Sequence, residues 1–341
     1  MNPVIVRLPD VRTVPCSTGR RHLLGLGAAS LVLARSGAGL AQTDWPNKPI
    51  RFVVGFASGG PTDSFARLLA KRLTEQLGQP VSIENRVGAN ANIAAELVAR
   101  AAPDGSTFLY NSSSMAISAS LYKDLKYDAR RDLMPVGLVM GVPVAFVVHP
   151  SLPVSSPAEL VAYLKSRPRE LNYASGGVGN AQHLGMEMVL QHFGLQASHI
   201  AYKGSAPAHI DLIAGRTQMM IDTVGSVMPY ILDKRLRPIA TLSAQRVGSL
   251  PGVPTMRESG MPGFELSAWY GLMAPARTPE PIVRKLNAEI DRAMKTDELR
   301  AAVTGQGGLP LTGTPEAYDA YLQTEIARYA KVIGALNVKP E

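Results

Sequence analysis

Three short Gly/Ser-rich stretches hold the residue types that could do chemistry in this chain. They are Ala57-Ser58-Gly59-Gly60-Pro61-Thr62, Ser175-Gly176-Gly177-Val178-Gly179-Asn180 and Gly204-Ser205-Ala206-Pro207. Each follows a short apolar run and precedes a helical pattern. The first backbone N–H groups of a helix lack internal partners, and the helix dipole places about half a positive charge at that end. Glycine lets the backbone approach a ligand closely. In open α/β sheets, ligands bind at this end of the strands. The chemistry on offer is capture of an anion by backbone donors, with no arginine needed. Turn chemistry alone explains any single loop of this kind. Three in one chain, two of them rich in glycine, point to a site.

Several side chains stand beside these loops. Asp63 lies in the first turn of the helix that follows Thr62, where a carboxylate favours the dipole. Beside an anion site it would repel the ligand. It is therefore expected to turn back on backbone N–H groups, or to take an ammonium or hydroxyl of the ligand. His183 opens the helix after the second loop and either donates to a ligand carboxylate or packs on its own loop. Asp222 ends an apolar run beside Thr223, placed to order loops, cap a helix or accept from a ligand. Ser113, within Ser112-Ser113-Ser114, offers a hydroxyl at a strand end. Trp269 and Tyr270 fit core or hinge packing better than ligand stacking.

Other chemistries find little support. Gly177-Val178-Gly179 lacks the third glycine of a dinucleotide fingerprint, because Gln182 stands there, and no loop ends in the GK[ST] of a phosphate loop. His183 and Glu187 are four apart, but no further ligand follows at metal spacing. Ser175 is not in a GxSxG elbow, and spacing does not place His183 or Asp222 against it. No cofactor and no metal are expected.

The positioning elements alternate. Apolar runs at 50–56, 81–84 and 107–111 read as strands, separated by helical patterns at 62–77 and 91–102. A second series places strands at 143–149, 171–174, 200–202, 218–222 and 238–243, with helices after the Ser156-Pro157, Asn180 and Gly204 starts. A Pro/Gly-rich connection at 247–264 leads to a strand at 266–274 and three closing helices. Two of these open with Thr278-Pro279-Glu280 and Thr314-Pro315-Glu316, each read as a threonine cap followed by proline. The alternation predicts an α/β chain of two lobes, each a mixed sheet flanked by helices. Lobe 1 would hold residues 44–143 plus 266–341, and lobe 2 residues 144–265. Two crossings between lobes make a hinge with a cleft.

The N-terminus reads as an export leader, residues 1–41, with Arg20 and Arg21 ahead of an apolar run at 23–34 and a small-x-small cut after Ala41. The paired arginines leave both twin-arginine and general secretory export open. The only cysteine, Cys16, lies in this segment, so the mature chain would have no disulfide and no thiol chemistry. The leader holds five arginines and one aspartate, so its removal takes the formal charge from +8 to +4. That is far from a nucleic-acid footprint.

The segments WPNKPIRFVVGFASGGPTDSFARLLAKRL, VSIENRVGAN, LNYASGGVGNAQHL, AYKGSAPAHIDLIAG and LPGVPTMRESGMPGFE resemble, in order, the Bug family. These are the TctC-like periplasmic solute-binding receptors of tripartite tricarboxylate transporters. The resemblance covers about residues 44–335. It implies a type II periplasmic-binding fold, a Venus flytrap that closes on a small carboxylated compound and makes or breaks no bond. It also implies a location in the periplasm and a membrane permease as partner, with the receptor a monomer. Carried over residue by residue, the ligand loops are Ser58, Gly59, Gly60, Thr62 and Asp63, then Ser175, Gly176, Gly177, Gly179, Asn180 and His183; Ser113 and Asp222 join them from the residue reading. Two positions depart from the family pattern. Phe56-Ala57-Ser58 stands where an aromatic-proline pair is common, and Thr223 where asparagine is common, so ligand identity does not transfer. Sensing for a membrane kinase, and hydrolysis of a small ester, remain as alternatives.

Overall fold

The structure is a computed structural model that describes residues 45–336 and 338. The leader, its cut after Ala41 and Cys16 lie outside the described residues. No helix among the described residues is long and apolar enough to cross a membrane.

The chain begins with β1 (Ile50–Val54), α1 (Pro61–Leu77), β2 (Val81–Asn85), α2 (Asn92–Ala99) and β3 (Thr107–Ser112), followed by α3 (Ser114–Leu121). Pro61 sets the first turn of α1, and Gly78 ends it in the left-handed conformation at φ 66°. β1 lies between β2 and β3, parallel to both. β4 (Leu133–Val148) then runs for 16 residues. Its first part pairs antiparallel with a later strand up to Pro143, and from Val144 it enters a second sheet.

That second sheet is built with α4 (Pro157–Ser166), β5 (Asn172–Ser175), α5 (Ala181–Phe193), β6 (Ser198–Ala201), α6 (Ser205–Ile213), β7 (Met219–Thr223), α7 (Val224–Leu232) and β8 (Arg237–Thr241). β4 pairs antiparallel with β7 and β8, while β5 lies parallel between β6 and β7. The chain returns as β9 (Ser267–Pro275), antiparallel to both β3 and β4. It ends with α8 (Glu280–Met294), α9 (Asp297–Gly305), β10 (Leu309–Pro310) and α10 (Pro315–Ala335). The result is two mixed sheets, flanked by helices and joined through one shared strand, β4.

Burial follows this plan. Phe52, Phe65, Leu69, Leu73 and Leu286 fill one side of the first sheet, and Val147, Leu212, Met220 and Val224 one side of the second. A third cluster runs continuously under both, from Leu109, Trp269 and Tyr318 to Leu184, Val189 and Ile221. Trp269 is fully buried in it, and its Nε1 donates to Glu325 at 3.0 Å.

Four sequence expectations need correction. The strand expected at 143–149 starts ten residues earlier, at Leu133. Its residues are almost all buried, so they show no polar alternation, and Pro135 and Gly137 break the run where the register shifts. Helices α3 and α7 were not expected. α3 has an almost wholly buried surface and so no amphipathic stripe, and α7 contains Pro229. The helix expected over 91–102 is shorter and is preceded by a separate turn at Ala89–Ala91. Finally, only one of the two Thr-Pro-Glu devices caps. Thr314 Oγ1 accepts from Ala317 N at 3.2 Å, whereas α8 starts one residue later and Thr278 is buried, donating to Pro275 O at 2.7 Å.

This difference generates a prediction. Thr314→Ala removes a real N-cap and should lower unfolding free energy by about 1 kcal/mol in a urea titration. An unchanged midpoint would show that the bond contributes nothing.

Candidate functional site

Five helices start at one place. The N-termini of α1 and α3, from the first sheet, meet those of α5, α6 and α7, from the second, around a cavity of about 50 Å³. Its wall holds Gly60 and Thr62 at the start of α1, and Ser112, Ser113 and Ser114 at the start of α3. Across from them stand Gly176, Asn180 and Gln182 by α5, Gly204 and Ser205 by α6, and Asp222 and Thr223 by α7. Phe56, Val144, Ala268 and Tyr270 add apolar and aromatic wall. Only α5 is capped by a side chain, with Asn180 Oδ1 accepting from His183 N at 2.9 Å. The N-caps of α1, α3, α6 and α7 make no side-chain cap bond. Four uncapped dipoles thus converge on one small space, and no lysine or arginine lines it.

The loops are held open by residues behind this wall. In the first loop Gly59 takes φ 83°, and its N–H donates to Asp63 Oδ2 at 2.9 Å. Asp63 is fully buried and also accepts from Arg67 Nε at 2.8 Å, Asn85 Nδ2 at 2.8 Å and Ser58 Oγ at 3.3 Å. Burial alone would raise the Asp63 carboxyl. The donors from Arg67, Gly59 and Asn85 outweigh it and hold the group below its usual range. Asp63 therefore faces its own loop, and its oxygens are spent there.

The second loop is shaped by a stack of rings. Tyr173, His199 and His183 lie nearly parallel, with centroids 4.8 Å and 4.0 Å apart along the series. His183 Nδ1 accepts from Gly179 N at 3.0 Å, so the ring is neutral with any proton on Nε2. Ser175 Oγ is fully buried and lies 2.6 Å from His199 Nε2. Burial, with the neighbouring His199, pushes His183 down to about 3, and burial pushes His199 down to about 4.

Asp222 is the one charged side chain in the wall, and it too is fully buried. It accepts from Thr223 N at 2.7 Å, from His209 Nε2 at 2.7 Å and from Gln182 Nε2. Gln182 in turn donates to Ser205 Oγ at 2.7 Å and accepts from Gly176 N. Asp222 and Gln182 thereby lock the starts of α5, α6 and α7 to one another.

Of the sequence-predicted residues, Gly60, Thr62, Ser113, Gly176, Asn180 and Asp222 line the cavity. Asp63, Ser175, Gly179 and His183 are buried behind it and hold the loops, Ser58 and Gly59 are exposed on the first loop, and Gly177 lines a neighbouring pocket. Gln182 and Ser205 were missed as wall residues. The signal was present, since both sit at the first turn of a helix after a glycine loop. Tyr270 was read as packing, and it packs on Tyr110 while also forming wall. The pairing of Ser175 is with His199, a partner not considered from sequence. Among the described residues no group of three or more His, Cys, Asp or Glu is placed to hold a metal.

Two mixed sheets on a shared strand, closed over a cavity lined by helix starts, define a two-lobed solute-binding protein. The model of the tripartite tricarboxylate transporter family receptors matches residues 65–338, and the chain belongs to that family. Protein BugT of Bordetella pertussis is 36% identical over 320 residues, covering 93% of this chain and 98% of that one. An R. palustris protein solved with adipate superimposes with a TM-score of 0.84 at 36% identity, covering 87% of this chain and all of the other. MatC from Rhodopseudomonas palustris, solved with bound malate, gives 0.82 at 33% identity, covering 85% and 100%.

The ring stack sets an acid limit. His183 and His199 titrate near 6.5 when unfolded and far lower when folded, so between those values the unfolded chain binds more protons. Their contribution to stability is complete above pH 6.5 and is lost as pH falls toward 4. Urea titrations at pH 7, 6 and 5 should show stability falling, by up to ~2.7 kcal/mol per pH unit for two groups. A flat profile from pH 7 to 5 would show that the rings are not buried as neutral groups.

Proposed function

We propose that the chain is an exported receptor that captures a small carboxylate between its lobes and presents it to a membrane permease of the tripartite tricarboxylate type. The observation that carries this reading is the convergence of five helix starts, four uncapped, on a cavity without a lysine or arginine. Such a cavity offers N–H donors and positive dipole ends to an anion. Adipate and malate, held by two of the relatives, are both carboxylates. The carboxylate is assigned between Gly60, Thr62 and Ser113 on one side and Gly176, Asn180 and Ser205 on the other. A volume of about 50 Å³ has room for on the order of three to five waters. That suits an anionic head group.

In this reading lobe 1 comprises residues 44–143 and 266–341, lobe 2 comprises 144–265, and residues 1–41 are a leader removed on the way to the periplasm. The receptor acts as a monomer and makes no covalent step. Ser175 and His199 are close enough for a hydrolase pair, but Ser175 Oγ is fully buried behind the wall and also donates to Gly177 O at 3.1 Å. The pair is assigned to loop structure.

A thermal-shift screen of small carboxylates, adipate and malate included, tests the ligand class. A true ligand at a hundredfold excess over Kd should raise Tm by on the order of 5 °C. If no carboxylate stabilises the protein, the class is wrong. The position of the anion is tested at Gly60. A Cβ there meets only Ala57 O at 3.5 Å, Ser205 N at 3.9 Å and Ala206 N at 4.0 Å, and φ is an ordinary −76°. Gly60→Val should therefore fold normally while its methyl groups cover the α6 donors. Affinity should drop at least ~10-fold, or about 1.4 kcal/mol. Unchanged affinity would remove this loop from the site.

A further inference from the structure

The turn between β2 and α2 has an unusual backbone. Ala89, Asn90 and Ala91 take φ of 45°, 51° and 72° in succession. For Ala89 and Ala91 this region is unfavourable, whereas asparagine enters it readily, and the strain of the two alanines persists only where the surroundings impose it. Gly55, just after β1, makes the room: a Cβ there would lie 2.1 Å from Ala91 Cβ. The turn is thereby pressed against the base of the first ligand loop.

Asn90 is the part of this turn that crosses to the other lobe. It is 8% exposed, and its Nδ2 donates to Gly179 O at 2.9 Å and to Ser118 Oγ at 3.3 Å. Around it the fit is close. A Cβ on Gly179 would lie 2.1 Å from Leu121 Cδ2, and Tyr122 Oη donates to Val178 O at 3.3 Å. The N–H of the same Gly179 is held by His183 within lobe 2. One residue of the second ligand loop is thus gripped on its N–H by its own lobe and on its carbonyl by the opposite one. Gly176 and Asn180, to either side, form cavity wall. Asn90 Oδ1 is buried without a donor. The Gly179 carbonyl demands the amide nitrogen, which fixes the orientation of the amide.

We propose that Asn90 is the closure-positioning residue of this receptor: it docks the strained 89–91 turn of lobe 1 on the Gly179 carbonyl and sets the second ligand loop in its closed place. This rests on the receptor reading only in taking closure as the act of capture.

Distances between spin labels test it, placed at Glu75→Cys on lobe 1 and Arg235→Cys on lobe 2 in a Cys16→Ser background. They are measured without ligand and with adipate added. Asn90→Gly keeps the left-handed turn and removes the amide, and Asn90→Ala removes the amide and adds left-handed strain. The ratio of closed to open protein should fall ~3–10-fold in Asn90→Gly, the worth of one hydrogen bond. Its ligand-free Tm should stay nearly level, because both residues accept this backbone conformation. A residue that merely supports the fold would lower both, and that result, or equal closed fractions in wild type and both variants, overturns the proposal. The ligand-free comparison decides Asn90 alone, whereas a wild type that no carboxylate shifts counts against the receptor reading.

Discussion

The structure turns on unpaired backbone donors. A helix start leaves its first N–H groups without partners, and a buried donor must find an acceptor. Most proteins use a serine, threonine, aspartate or asparagine cap for this. Here four helices that begin around one cavity have none. Neighbouring side chains meet part of this need, with Ser112 Oγ accepting from Ser114 N at 3.3 Å and Asp222 Oδ1 from Thr223 N at 2.7 Å. The glycines leave the helix starts open at the cavity, and polar residues behind them hold the loops in place.

The supporting residues are costly in themselves. Asp63 and Asp222 are carboxylates buried at the cavity of helix starts. Each is tolerated because it is saturated, the first by Arg67, Asn85 and Gly59, the second by His209, Gln182 and Thr223. Removing a partner from such a group leaves an uncompensated buried charge. The site therefore has two layers with different tasks. The wall supplies donors, and a buried polar scaffold fixes their direction.

Much of this was legible in the sequence because local rules and global fold agree there. Pro61 and Gly78 bound α1, Ser156 and Thr314 cap their helices, and the loop glycines mark strand ends. What failed was legibility of elements with no contrast between faces. β4 is buried on both sides over most of its length and α3 almost entirely, so neither shows a period. The wall and scaffold were confused for a related reason. For Asp63 and His183 an inward turn on their own loops is one of the two readings the residues offer, and the fold shows it; for Ser175 only the fold shows the pairing with His199. Asn90 shows no sequence signal at all; its importance comes from φ and from a partner 89 residues away.

The absence of cationic side chains from the cavity has a consequence for how such a receptor can change. Every residue but proline carries a main-chain N–H, so a substitution that leaves the space and backbone geometry of the cavity intact leaves these donors in place. Phe56, Ala268 and Tyr270 bring apolar and aromatic side chains to the wall. On the proposed receptor reading, one acid can be exchanged for another by altering such side chains while the main-chain donors stay in place.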